Sequence, residues 1–297
     1  MRILTCMSVV ALLALTGQST AGQADTKAAD VLAAAREALG GADAFERVET
    51  LSVSGSYRRV IGPREFGGDV TVEIAVPDKV RRVEEFGIPG GPRVERITVL
   101  NGDTYWEDGT NRGGMMMRFG GPGGPGGPGG PGGEPSEEMR ERFRRMQQQR
   151  LKGELARLQL ALLLRADASL TYAGVAEAPD GRADVVEMQV DGSPIRLFVD
   201  QETHAPLMLT YRAPAMRQVV RREGGRPSPE EIQRLRSQPP PMATYEVRFD
   251  EYKEVDGLML PHVIVTSLDG QVIEEWTIDR VQLNPAFKAD RFEKKGS

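Results

Sequence analysis

Hydrophobic and polar positions along the chain follow two periods. Val31, Leu32, Ala35 and Leu39 recur at helical spacing, so residues 28–39 are predicted to be a helix that Gly40-Gly41 terminates. Residues 42–48 add a short turn with Phe45 and Val48 facing inward. From Leu51 the period becomes two. Leu51, Val53, Gly55 and Tyr57 alternate with serines, and Val70, Val72, Ile74 and Val76 alternate with Thr71, Glu73 and Ala75. Each such run predicts a strand with one buried and one wet face. Pro77-Asp78 breaks the second run before a strand that starts at Lys79. A further strand covers residues 94–100, and Asn101-Gly102 turns it into Thr104-Tyr105-Trp106.

The middle of the chain departs from this pattern. Residues 120–133 repeat Gly-Gly-Pro with no side chain able to pack, which reads as a flexible loop. Ser136 then caps a helix with Glu137 and Glu138 in its first turn. Leu151, Leu155, Leu158 and Leu162 form one apolar face of it, and Met139, Phe143 and Met146 extend a similar stripe upstream. Arg140, Arg142, Arg144, Arg145 and Arg150 supply a solvated basic side. Alternation returns in Val186, Met188 and Val190, in Ile195, Leu197 and Val199, and in Leu207, Leu209 and Tyr211. A polar insertion at 214–241 interrupts the sheet, with Ser228-Pro229-Glu230-Glu231 resembling a capped helix start. The last strands hold Tyr245, Val247 and Phe249, then residues 258–266 and 272–281. Asp191-Gly192, Asp256-Gly257 and Asp269-Gly270 turn the chain between strands, so antiparallel pairing is expected.

The N-terminus changes the picture of where the chain works. Arg2 precedes an apolar stretch at 9–15, of secretory length and too short to span a bilayer as a helix. Small-x-small cleavage patterns follow at 19–21 and 22–24, so residues 1–24 read as a signal peptide and 25–297 as a single exported, periplasmic domain. Cys6 is the sole cysteine; it lies upstream of the apolar stretch and is not placed for lipid attachment. The mature chain is then expected to have no disulfide, no cysteine-ligated metal and no transmembrane anchor. Its formal net charge moves from −5 to about −6 on loss of Arg2, against a nucleic-acid partner.

No catalytic constellation emerges, so the chain is not expected to be an enzyme. The two histidines, His204 and His262, lie apart and are expected at the surface. Serine elbows and phosphate loops are missing, and the glycines at 120–133 lack the lysine and strand-to-helix setting of a phosphate cradle. Glu84-Glu85 and Glu274-Glu275 point to opposite strand faces and read as solvated charge. Met115, Met116 and Met117 have no histidine or cysteine nearby in sequence and read as an adaptable apolar patch. No cofactor and no metal are implied.

Several segments together resemble one family. Residues 68–81, with the Val76-Pro77-Asp78 corner, residues 99–106, residues 197–207, and Asp256-Gly257-Leu258-Met259-Leu260-Pro261 with 278–284 and Phe292 are similar to the LolA-like group of envelope proteins. That group includes lipoprotein carriers, their outer-membrane receptors and sensor domains of the MucB/RseB type. The resemblance implies a mainly β fold with α: a curved, unclosed antiparallel β half-barrel with helices on its concave side. It implies no catalysis and a lipid or lipoprotein acyl chain as ligand, in outer-membrane lipoprotein sorting. The alternative is an envelope sensing or regulatory module that contacts another envelope protein. Val72, Ile74, Val76 and Trp106 are the candidate lining of an apolar ligand cavity, since the first three share a strand face and Trp106 is one of only two tryptophans. The carriers have an arginine just before the corner proline that helps hold a helical lid shut. This chain has Val76 there, and an aliphatic side chain cannot donate those hydrogen bonds.

Intact-mass analysis of exported protein is expected to show an N-terminus at Gly22 or Asp25 without a lipid adduct. A mass retaining Met1, or one carrying diacylglycerol, would contradict the reading of the first 24 residues.

Overall fold

Tight turns set the strand register. Asp256 and Gly257 sit at φ 49° and 87°, and Asp269 and Gly270 at 47° and 82°. Two successive residues at positive φ form the turn whose twist matches a hairpin. They place Val255 opposite Leu258 and Leu268 opposite Gln271. Gly102, at φ 56°, likewise brings Thr104 opposite Asn101.

The computed structural model describes residues 21–62, 64–87, 93–109, 137–166, 170–178, 181–190, 192–215 and 241–294. The chain forms α1 (Ala21–Ala38), α2 (Ala42–Glu46), β1 (Thr50–Ile61), β2 (Arg64–Ala75), β3 (Lys79–Gly87), β4 (Arg93–Asn101) and β5 (Thr104–Gly109). Then come α3 (Glu137–Leu163), β6 (Leu170–Ala178), β7 (Gly181–Val190), β8 (Ser193–Asp200), β9 (Pro206–Pro214), β10 (Met242–Val255), β11 (Leu258–Leu268) and β12 (Gln271–Leu283). The twelve strands make one sheet in the order β5-β4-β3-β2-β1-β12-β11-β10-β9-β8-β7-β6. Every pairing with a described register is antiparallel. β5 and β6 occupy opposite ends of the order, so the sheet is not closed. The antiparallel pairing expected from the alternation and turns, and the mainly β, unclosed sheet that the resemblance implies, are the ones adopted.

Two compact units make up the chain. The first takes the described residues of 1–47, 57–67 and 159–278. Here α1 packs on β6 and β7, burying Ala28, Val31, Leu32, Ala35 and Leu39. Phe45, Leu160, Leu163, Leu197, Leu209 and Leu258 are fully buried in the same unit. Polar ties close its helix ends. Arg36 donates to the Leu164 carbonyl at 2.6 Å from Nη2, and Arg165 donates to the carbonyls of Phe45 and Glu46. The Met259 N–H donates to the Leu39 carbonyl at 2.8 Å, fixing the end of α1 against the β10–β11 turn. The second unit takes the described residues of 48–56, 68–158 and 279–297 and holds the β2–β5 hairpins, most of α3 and the C-terminal segment.

Four sequence expectations need correction. Leu207 does not face inward with Leu209; it is 44% exposed. Val199 pairs with Pro206 and Phe198 with Met208, so Leu207 is the extra residue of a β-bulge and is turned outward. His262 is buried in β11, its Nδ1 3.0 Å from the Leu260 carbonyl oxygen, because it shares a face with Leu258, Leu260 and Ile264. Glu84 and Glu274 are not solvated: Glu84 is buried on Arg82, and Glu274 lies 2.6 Å from Arg59. Phe143 and Met146 do not continue the buried stripe of α3, and both are exposed. The Gly-Gly-Pro repeat, Met115–Met117, Ser136 and residues 216–240 of the polar insertion lie outside the described residues.

Gly40 sits at φ 130°, and a Cβ there would fall 2.2 Å from the Gly257 carbonyl oxygen. Gly40→Ala is therefore expected to cost at least roughly 1–3 kcal/mol in urea unfolding. Gly41→Ala, at φ 100° but with open space around its Cβ, is expected to cost less. Equal losses would show that contact with the β10–β11 turn is not what restricts Gly40.

Candidate functional site

Hairpin register decides which side chains share a face of β2–β5. Ile74 lies opposite Val80, Val80 opposite Leu100, and Leu100 opposite Tyr105. Val72 lies opposite Arg82, Arg82 opposite Thr98, and Thr98 opposite Glu107. These residues form one face, whose apolar members Val72, Ile74, Val80 and Leu100 are buried to 1% exposure or less. The other face carries Glu73, Arg81, Val99 and Trp106 in one cross-strand row.

Helix α3 lies over the first face. Its Leu151 and Leu155 are buried, and Glu154 accepts from Arg82 Nη1 at 2.8 Å. Arg82 also donates to Glu84 Oε1 at 2.7 Å from Nη2 and 3.2 Å from Nε. One guanidinium thus spans two carboxylates, a geometry its planar fork suits. Burial alone would raise the Glu154 carboxyl, but Arg82, Arg150 and Arg157 outweigh it and hold the group below its ordinary value. At the rim, Lys152 Nζ lies 2.5 Å from Asp103 Oδ1, and Gln148 donates to the Asp103 carbonyl at 2.7 Å. Burial, followed by its hydrogen bond to Glu107, pushes the Tyr105 hydroxyl up.

On the second face the C-terminal segment covers the sheet. Glu73 accepts from Arg81 at 2.9 Å and from Arg291 at 2.8 Å and 2.5 Å. Trp106 Nε1 donates to the Phe292 carbonyl at 3.1 Å, and Phe292 meets Phe287 edge to face at 5.6 Å between ring centroids.

The four proposed lining residues are therefore split. Val72 and Ile74 lie together beneath α3. Trp106 belongs to the opposite face, and Val76 stands beyond the end of β2, half-buried, its N–H donating to the Glu49 carbonyl. The Glu73–Arg81–Arg291 and Arg82–Glu84–Glu154 clusters were not identified from the sequence. A three-residue β2–β3 connection would have put Glu73 opposite Arg81, but nothing local brings Glu154 or Arg291 to them. Arg82, not Val76, hydrogen-bonds the helix, through its one contact with Glu154.

The first unit has a cleft of 520 Å³ between α1, β7 and the β8–β9 turn, lined by Thr26, Lys27, Asp30, Val31, Ala34, Asp184 and His204. Lys27 Nζ sits 3.8 Å from the Tyr172 ring centroid, and Tyr172 donates to Asp184 at 2.6 Å. Among the described residues no group of His, Cys, Asp and Glu is arranged to hold a metal ion. No helix among them is long and apolar enough to cross a membrane.

The architecture is an unclosed antiparallel sheet with helices packed on it. No protein-family model and no curated protein matches the chain. Similar solved structures include a LolA superfamily protein from Nitrosomonas europaea, at 11% identity and TM-score 0.46, covering 90% of this chain and 97% of that one. Another is a putative outer membrane lipoprotein-sorting protein domain from Vibrio parahaemolyticus, at 10% identity and TM-score 0.44, also covering 90% and 97%. MucB appears at 12% identity and TM-score 0.25, covering 91% of this chain and 63% of that one. These belong to the group that the sequence motifs resemble.

Glu154 gives the α3 contact a pH signature. Its carboxyl is depressed in the folded state, so the stabilisation is present above the unfolded carboxylate range and lost as pH falls through the folded value. Glu154→Gln is expected to lower stability at neutral pH by roughly 1.5–3 kcal/mol and to flatten the acid limb of the melting profile. An unchanged acid limb would show that other carboxylates set it.

Proposed function

We propose that the chain is an exported, non-catalytic envelope protein that binds lipid or lipoprotein acyl chains on the face shared by Val72 and Ile74. One observation carries the reading: a helix lies over a sheet face on which Val72, Ile74, Val80 and Leu100 are all buried, and is tied to it by charged groups beside them. Ion pairs at 2.8 Å and 2.5 Å, from Arg82 and Lys152, meet α3 and the adjacent β4–β5 turn. Hydrocarbon entering between helix and sheet would exchange one apolar contact for another, at about 0.8 kcal/mol gained per methylene removed from water. The ion pairs would then decide how readily α3 yields. The order of motifs shared with the LolA-like group supports the same ligand class. The candidate lining on this reading is Val72 and Ile74, with Val76 at the margin. Trp106 serves the opposite face.

Ile74→Trp tests the proposal in a fluorescent fatty-acid assay run beside thermal melting. The added ring is expected to block uptake while the fold survives. In a closely packed interior with no ligand role, the same change costs roughly 1–3 kcal/mol and leaves binding per folded molecule unchanged. Wild-type protein that takes up no apolar probe defeats the proposal outright.

A further inference from the structure

Phe143 and Met146 are 52% and 55% exposed, more than any other large apolar side chain among the described residues. They stand three positions apart on α3 and so share a face. At roughly 100° per residue, Phe143 is turned about 80° from Leu151, and Met146 lies on the opposite side from Leu155. The stripe has therefore rotated away from the sheet rather than frayed from it. The charge around it is concentrated. Glu137 and Glu138 occupy the first turn, and residues 139–150 then hold five arginines against Glu141 alone, in a chain of formal net charge −5. Arg142, Arg144, Arg145 and Arg150 are exposed.

We propose that the N-terminal half of α3 is a docking surface for an anionic lipid surface, with Phe143 and Met146 entering the headgroup boundary. Two exposed apolar side chains on a helix ringed by guanidinium groups match the interfacial pattern in which apolar burial and attraction to phosphate add together. Arginine suits this role because its fork pairs with two phosphate oxygens at once. The site is separate from the patch beneath α3, which Leu151 and Leu155 cover. The inference rests on the envelope location proposed above but not on acyl-chain binding.

Flotation of the full exported chain tests it. The probes are vesicles of equal parts phosphatidylglycerol and phosphatidylcholine, and vesicles of phosphatidylcholine alone. Binding is expected to the first and not the second, and to weaken as salt is raised. Phe143→Ser with Met146→Ser, and separately Arg142→Gln with Arg145→Gln, are each expected to lower partitioning about tenfold or more. Both pairs are exposed, so melting should be unchanged. Fatty-acid uptake by the same variants should equal wild type, which separates failure of this surface from failure of the acyl-chain site. Equal flotation on both vesicle types, none on either, or full binding by both variants overturns the proposal. Binding to an acidic protein but to neither vesicle overturns it in favour of a protein partner.

Discussion

The strand that opens the sheet and the strand that ends it lie side by side. β1 and β12 are neighbours in the middle of the order, and every other adjacency is between consecutive strands. Asn284, at φ 52° just past β12, holds this pairing at its end. Its side-chain oxygen accepts from the N–H groups of Glu49 at 2.8 Å and Thr50 at 3.4 Å, and its own N–H donates to the Thr50 carbonyl. Thr50 Oγ1 donates onward to the Pro285 carbonyl at 2.9 Å. The hairpins are local and can form early. This one contact spans more than 230 residues, and long-range pairing bears the loop-closure cost that slows folding. The segment that carries Arg291 and Phe292 onto Glu73 and Trp106 leaves directly from it.

Charge is used in the second unit where apolar contact alone would leave orientation loose. Arg82, Glu84 and Glu154 are all mostly buried, with side-chain exposures of 13%, 8% and 15%. A buried pair is weak evidence for added stability, because removing charge from water offsets much of the attraction. Its directional hydrogen bonds do fix which turn of α3 meets which strand. Arg81, Glu73 and Arg291 do the same for the C-terminal segment on the other face. Apolar burial supplies adhesion on both faces, and the guanidinium groups supply register.

Most strands and turns were legible in the sequence because two-residue alternation and Asp-Gly pairs are local signals; β6, rich in alanine and irregular at Tyr172–Gly174, was not. The helix at 28–39 was legible too, though it begins at Ala21. The facing of individual side chains was less so. Val72 and Ile74 were read correctly as buried neighbours, since they share a strand. Trp106 was placed with them, yet its side depends on three connections, and parity through those connections puts it opposite Val99, Arg81 and Glu73. His262 could have been recognised, because the alternation Leu258, Leu260, His262, Ile264 includes it among the inward residues. Leu207 could not, because a bulge leaves no mark in a short apolar run. The stripe on α3 read as continuous because nearby helical positions look alike until the rotation between Phe143 and Leu151 is counted.

Strand β9 ends at Pro214 and β10 begins at Met242, and these two residues are partners in the sheet. The next rung is also made, by the Ala215 N–H and the Pro241 carbonyl at 2.8 Å. Residues 216–240 thus begin and end on a closed ladder, and the register of β9 with β10 is set below them. Between two anchors held in this way, loop closure by itself adds an entropic cost that grows only with the logarithm of the number of residues joining them. The partnership of Pro214 with Met242 thus fixes where any joining sequence, native or grafted, has to leave the sheet and where it has to return.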